Sequence, residues 1–268
     1  MKDSKYEILL IEDDKLDQMA FTQAVEDGEL PYDCIIAGSV SEARDILAGR
    51  QFDIVISDYS LGDGTALDIL ELVTDIPVIL VTGAGDEEVA VSAYKAGAYD
   101  YLTKDFERSY LKTLPITVEN AIRHHETERQ MHLLSAAVMS TSESVYITNL
   151  EDRIIFVNKA FCKTYGYQQD EVIAKNSHVL WMGKPQNNYT RSVFRTSFGG
   201  GECEIGFYHR RKDGSIFPVS ISRSIVKDAK GNSIAVVGMV RDITELVRIE
   251  DKMKVLNEKL QQQTGVTV

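Results

Sequence analysis

Three short, unbroken apolar runs, Ile8–Ile11, Ile54–Ile56 and Val78–Val81, constrain the fold of this chain more than any other feature. A strand with one wet face alternates apolar and polar residues. An unbroken run fits a strand covered on both faces, as in a parallel sheet. Cys34–Ala37 and Tyr99–Leu102 are weaker versions of the same pattern. Helical patterns lie between them. Leu16, Ala20, Gln23, Ala24 and Asp27 share one helical periodicity. Ser41 is placed to cap Glu42–Leu47, which Gly49 would end, and Thr65 precedes Ala66–Leu70 in the same way. Five strands alternating with helices predict an α/β fold, a doubly wound five-stranded parallel sheet with right-handed crossovers.

Polar groups follow those runs in a fixed order: Glu12-Asp13-Asp14, then Asp58, Thr82 and Lys104. In an open parallel sheet the carboxyl ends of the strands converge on one crevice, where ligands bind. Carboxylates gathered there make a hard oxygen site suited to Mg²⁺. A carboxylate that attacks a phosphoryl group meets charge repulsion, which a cation held by Glu12 and Asp13 would offset. Asp58 then serves as ligand and nucleophile. Lys104 pairs with the transferred group, Thr82 donates to one of its oxygens, and Gly83 leaves its backbone N–H open to approach.

The net charge is −12 and unevenly placed: −15 over residues 1–125 and +3 over 126–268. The acidic half excludes nonspecific nucleic-acid binding, which needs a basic face. Cys34, Cys162 and Cys203 are scattered and form no metal-ligand spacing, as expected of a reducing compartment. No apolar run approaches the ~18 residues that span a bilayer, and the N-terminus lacks a signal-peptide pattern. The expectation is a cytoplasmic protein with neither DNA nor membrane as partner.

Residues 5–123 resemble the receiver domain of two-component response regulators. ILLIEDD is similar to its acidic strand, FDIVISDYSLGDGTALDIL to its phosphoacceptor strand, PVILVTGAG to its threonine strand and GAYDYLTKD to its lysine strand. The resemblance implies that a histidine kinase phosphorylates Asp58. It implies that Glu12, Asp13, Asp58 and the Ser60 backbone carbonyl hold Mg²⁺, with Asp14 a neighbour of the site. Tyr101 matches the aromatic that turns inward when Thr82 moves toward the phosphoryl group, and the face around Tyr101 and Lys95 would repack. One departure is Asp105, where the family usually has proline after the lysine. The last helix of this domain is expected to start late, with Pro115 in its first turn.

Residues 116–137 hold neither Gly nor Pro and predict a long helix. His124, His125 and His132 lie on it and read as a polar stripe, solvated or dimer-facing. Beyond residue 140, strands are predicted at Ser144–Thr148, Arg153–Val157, Glu202–Arg210, Ile216–Val226 and Ile234–Val240, with turns at Asn149–Asp152, Lys212–Ser215 and Asp228–Asn232. These make an α+β unit with an antiparallel sheet.

Residues 133–245 resemble a PAS sensor domain, on VYITNLEDRIIFVNKAFCKTYGYQQDEVIAKN, RRKDGSIFPVSISRSIV and the exit signal Asp242-Ile243-Thr244. Flavin-binding members carry a reactive Cys where this chain has Ser177. Haem-binding members place a His near Asn187-Asn188-Tyr189, where none stands. No PAS cofactor is expected. His178 and His209 read as structural, and Trp181, Phe161 and Phe207 as core. Leu246, Ile249, Met253, Leu256 and Leu260 then step by three and four, an a/d seam. The expected boundaries are 1–123 receiver, 124–138 helical linker, 139–245 PAS domain and 246–268 signalling helix, with homodimerisation through PAS and helices. Two other readings stay open: the regulatory front of a longer histidine kinase or diguanylate cyclase, and a PAS small-molecule binding module with a silent receiver.

Overall fold

The structure is a computed structural model. It describes residues 5–83, 87–181 and 202–264, with side chains over 5–83, 91–181 and 208–260. The chain divides into two compact units, residues 1–132 and 133–268.

The first unit runs β1 (Tyr6–Ile11), α1 (Lys15–Asp27), β2 (Tyr32–Ala37), α2 (Val40–Gly49) and β3 (Ile54–Asp58). A two-residue hairpin follows, β4 (Ser60–Leu61) with β5 (Gly64–Thr65), then α3 (Ala66–Leu72), β6 (Val78–Thr82), α4 (Glu87–Ala96), β7 (Asp100–Thr103) and α5 (Tyr110–Ser140). The five-stranded sheet has the order β2-β1-β3-β6-β7, and its pairs are all parallel. The apolar runs explain why both faces are covered. Leu9, Ile11, Val55 and Leu80 pack with Ala43, Ala66 and Ile69 of α2 and α3. Their neighbours Ile8, Leu10, Ile54, Ile56, Ile79 and Val81 pack on the other face with Phe21 of α1 and Val118 and Ile122 of α5. Each such side chain, fully buried, contributes roughly 1.5–3 kcal/mol.

The second unit runs β8 (Ser144–Thr148), β9 (Ile154–Val157), α6 (Lys159–Tyr165), α7 (Gln169–Val172), a 3-10 turn at Ser177–Leu180, β10 (Glu202–Arg210), β11 (Ile216–Lys227), β12 (Ser233–Asp242) and α8 (Thr244–Thr264). Its sheet, β10-β11-β12-β8-β9, is antiparallel throughout. Asn158 fixes the start of α6. Its Oδ1 accepts from Phe161 N and Val145 N, both at 2.9 Å. Its Nδ2 donates to the Val138 and Glu143 carbonyls at 3.1 and 2.9 Å, tying the end of α5 to β8. Gly238 lies so close to Tyr146 that a Cβ would stand 2.3 Å from its ring.

Several local expectations change. Ser39, not Ser41, caps α2, because its hydroxyl accepts from Glu42 N at 3.1 Å while Ser41 already lies inside the helix. Gly49 is the last helical residue and Arg50 the C-cap. Helix α1 buries Gln18 and Phe21, whereas Leu16 is 66% exposed; the predicted stripe was rotated off the face that meets the sheet. Pro115 is the sixth residue of α5 rather than a first-turn residue. The helix starts earlier because Asp105 Oδ1 accepts from Ser109 N at 2.6 Å, closing a turn just before Tyr110. The Lys104–Asp105 peptide is trans.

Candidate functional site

The sheet order reverses at β1, with β2 on one side and β3 on the other, and the polar residues of interest stand at the carboxyl ends of the central strands. Glu12 follows β1, Asp58 and Thr82 end β3 and β6, and Lys104 follows β7. Strand register gathers them. Tyr59 N donates to the Val81 carbonyl and Lys104 N to the Thr82 carbonyl, at 2.9 and 2.7 Å, so β3, β6 and β7 end level with one another.

The Lys104 ammonium lies 2.6 Å from Asp58 Oδ2 and 2.7 Å from Glu12 Oε2. A third carboxylate, Asp17 of α1, is 2.9 Å away. Sequence reasoning missed Asp17, and Arg108, 2.9 Å from it. Acidic residues in a first helical turn are ordinary, and no spacing rule links this one to a lysine at the far end of the domain. Asp14 is excluded from the cluster for a local reason. It caps α1, with Oδ1 accepting from Leu16 N at 2.7 Å.

Burial pushes the Glu12 carboxyl above its usual range, helped by the charge of Asp58 and opposed by Lys104. Burial disfavours the Lys104 ammonium, but hydrogen bonds to Asp58, Glu12 and Asp17 outweigh it and hold that group well above the ordinary lysine value. The site therefore keeps a cation at neutral pH.

Glu12, Asp13 and Asp58 each offer an oxygen, and the three lie within 4.8 Å of one another. An all-oxygen set of this size suits a hard divalent cation such as Mg²⁺. Gly62 borders the site; a Cβ there would lie 3.6 Å from Asp13 Oδ2. Ser60 N is 3.4 Å from Asp58 Oδ1, which keeps the hairpin against the carboxylate. Thr82 is buried, and its hydroxyl donates to the Gly83 carbonyl at 3.0 Å. A Cβ at Gly83 would meet nothing within 4 Å. Tyr101 is 37% exposed and packs edge-on against Tyr94, centroids 5.9 Å apart.

Family models fit both units. One described as a response regulator receiver domain matches residues 8–114. One described as a PAS domain matches residues 142–245. The chain is a response regulator receiver domain followed by a PAS domain. The receiver is a module of phosphorelay signalling. The response regulator protein PilR of Pseudomonas aeruginosa is 35% identical over 105 residues, 38% of this chain and 23% of PilR. The C4-dicarboxylate transport regulatory protein DctD of Rhizobium meliloti is 38% identical over 133 residues, 46% of this chain and 26% of DctD. The chain thus spans about a quarter of the length of these curated relatives. Among solved structures, a receiver domain from Clostridium thermocellum is 27% identical, covering 46% of this chain and 98% of its own, with a TM-score of 0.40.

The PAS interior is aromatic. Phe161 and Tyr165 stack with centroids 4.5 Å apart, and Phe217 meets Tyr165 edge-on. His209 is buried, and its Nδ1 lies 2.5 Å from the Tyr165 hydroxyl. Burial, with Arg223 nearby, pushes His209 down to about 4, so a neutral ring shares that hydrogen bond with the Tyr165 hydroxyl. His178 is exposed beside Asp152. Ser177 is buried and donates to the Asp152 carboxylate at 2.7 Å, a role that anchors the turn between β8 and β9. Phe161 belongs to the core, with Trp181 packed against it. Phe207 and the Asn187–Tyr189 segment lie outside the described side chains. Among the described residues no helix is long and apolar enough to cross a membrane.

Proposed function

We propose that a histidine kinase phosphorylates Asp58, that Thr82 and Tyr101 register the change, and that α5 relays it to the PAS domain. One observation carries the reading: a single ammonium sits 2.6 Å from Asp58, beside a compact trio of carboxylates. An Asp58 oxygen attacks the phosphorus of a phosphohistidine. The O–P bond forms as the P–N bond breaks, and its electron pair leaves with the imidazole nitrogen. Lys104 donates to an oxygen of the phosphoryl group as charge moves. Thr82 turns its hydroxyl from the Gly83 carbonyl to another of those oxygens, with the Gly83 N–H open beside it. Tyr101, half-exposed against Tyr94, follows into the space released, and the face that includes Lys95 repacks. Mg²⁺, held by Glu12, Asp13, Asp58 and the Ser60 carbonyl, would offset repulsion between the carboxylates and the incoming group.

Continuity supports the relay. Helix α5 runs unbroken from Tyr110 to Ser140, from the receiver core to the carbonyl of Val138 that Asn158 holds. Homodimerisation fits α8: Leu246, Ile249, Met253 and Leu256 are each at least 55% exposed, which leaves much of the seam's apolar surface open to a second copy. We place this activity in the cytoplasm, with the kinase and a second copy of the chain as partners and no role for DNA or membrane.

The test is labelling with acetyl phosphate, with and without Mg²⁺, read as a mass shift on the Asp58 peptide. Wild type should label in a Mg²⁺-dependent manner and Asp58→Ala should not. Undiminished label in Asp58→Ala would move the acceptor elsewhere.

A further inference from the structure

We infer that Asp17 is a positioning residue for Lys104, and that Arg108 governs how strongly Asp17 acts. The inference rests on the reading of Asp58 as phosphoacceptor and adds two residues to it. An ammonium has three protons to donate. Lys104 has three acceptors, at 2.6 Å on Asp58, 2.7 Å on Glu12 and 2.9 Å on Asp17, so every proton is committed. Asp17 meets Lys104 with Oδ2, while its Oδ1 lies 2.9 Å from Arg108 Nη2. One carboxylate therefore bridges the lysine of the site to a cation on the connection between β7 and α5.

The bridge is graded in exposure. The side chains of Lys104, Asp17 and Arg108 are 18%, 21% and 42% exposed, so the chain of charges runs outward to a residue that solvent or a partner can reach. Arg108 also sits at φ 53, a left-handed conformation uncommon outside glycine. The Asp105 carboxylate that accepts from Ser109 N at 2.6 Å closes the turn around it. This is the segment in which Asp105 stands where the family usually has proline.

When Asp58 carries a phosphoryl group, the bond from Lys104 to Asp58 passes to a phosphoryl oxygen, and Glu12 and Asp17 stay as its two anchors. The charge on Asp17 then competes with the phosphoryl group for the ammonium, and repels an arriving phosphate dianion. Arg108 shares that charge and weakens both effects. Asp17→Asn keeps an oxygen that can accept from Lys104 but removes the charge. Arg108→Gln leaves the charge without its outer partner.

The experiment measures initial rates of Asp58 phosphorylation by acetyl phosphate with Mg²⁺, on the full chain, for wild type, Asp17→Asn, Arg108→Gln and the double variant. Asp17→Asn should lower the apparent KM for acetyl phosphate by about threefold, the scale of one partly screened charge. Arg108→Gln should raise it by a similar factor, and Arg108→Lys should stay near wild type. The deciding outcome is the double-mutant cycle. Arg108→Gln should have no effect once Asp17 is Asn, because Arg108 acts through Asp17. An equal rise in both backgrounds would overturn the inference and make Arg108 a general surface charge. Rates that fall in both single variants with KM unchanged would overturn it too, and indicate a structural role only. Label on wild type at Asp58 with either pattern leaves the phosphoacceptor reading standing; no label on wild type removes that reading and this inference together.

Discussion

The receiver and the PAS domain are both five-stranded sheets with helices, yet they place their titratable groups differently. The receiver gathers Glu12, Asp17 and Asp58 around the Lys104 ammonium at the carboxyl-end face of its parallel sheet, and the hydrogen bonds they offer hold that lysine charged. The PAS domain seals its titratable imidazole, His209, behind Tyr165, Phe217 and Trp181, and keeps it neutral. Parallel strands leave their carboxyl ends open at a point where the strand order reverses, so polar side chains there have partners and access to water. An antiparallel sheet curled over small helices offers a closed interior, in which an unpaired charge costs more than a neutral ring that shares one hydrogen bond.

Substitutions can break this comparison. The largest effect is expected at the PAS core: Phe161→Ala should destabilise that domain by about 3–5 kcal/mol, since a fully buried ring would leave a cavity. Chemical denaturation followed by PAS-domain fluorescence would show it, and a loss below about 1 kcal/mol would mean that the interior is not packed as described.

In the receiver, Lys104→Met should leave the fold intact and slow phosphorylation of Asp58 by about 10²–10³-fold, because carboxylates would face the incoming phosphoryl group without their cation. Rates with acetyl phosphate check this. An unchanged rate would place the stabilising charge elsewhere.

The third effect depends on pH. His209 is held near 4 in the folded state against an ordinary 6.5, so the unfolded chain binds the proton first as pH falls. A depressed imidazole pKa means that stability is full above about pH 6.5 and is lost as pH falls toward 4. The loss reaches up to about 3 kcal/mol. A His209→Gln variant should show a flatter pH dependence of PAS unfolding between pH 7 and 4. An identical slope would show that His209 is solvated rather than sealed.

Much of the receiver could be read from local pattern. Unbroken apolar runs named the buried strands, and the polar residues within two positions of each run's end named Glu12, Asp58, Thr82 and Lys104, because a strand end is a sequence-local event. In the PAS domain the strands were legible, but not what they enclose. Nothing near His209 in sequence says that Tyr165 would lie 2.5 Å from its Nδ1.

The sequence by itself determined the five strands of each sheet and the helices α1, α2, α3 and α5, and which side chains stand at the carboxyl ends of the parallel sheet. Alternation and run length are properties of a few adjacent residues, and burial on one or both faces follows from them. Only the tertiary structure decided that α1 turns Leu16 to solvent and Phe21 to the sheet, and that Asp17 joins Lys104 to Arg108. Those outcomes depend on which distant element comes to lie alongside, and a charge pair between an early helix and a late loop leaves no periodic trace along the chain.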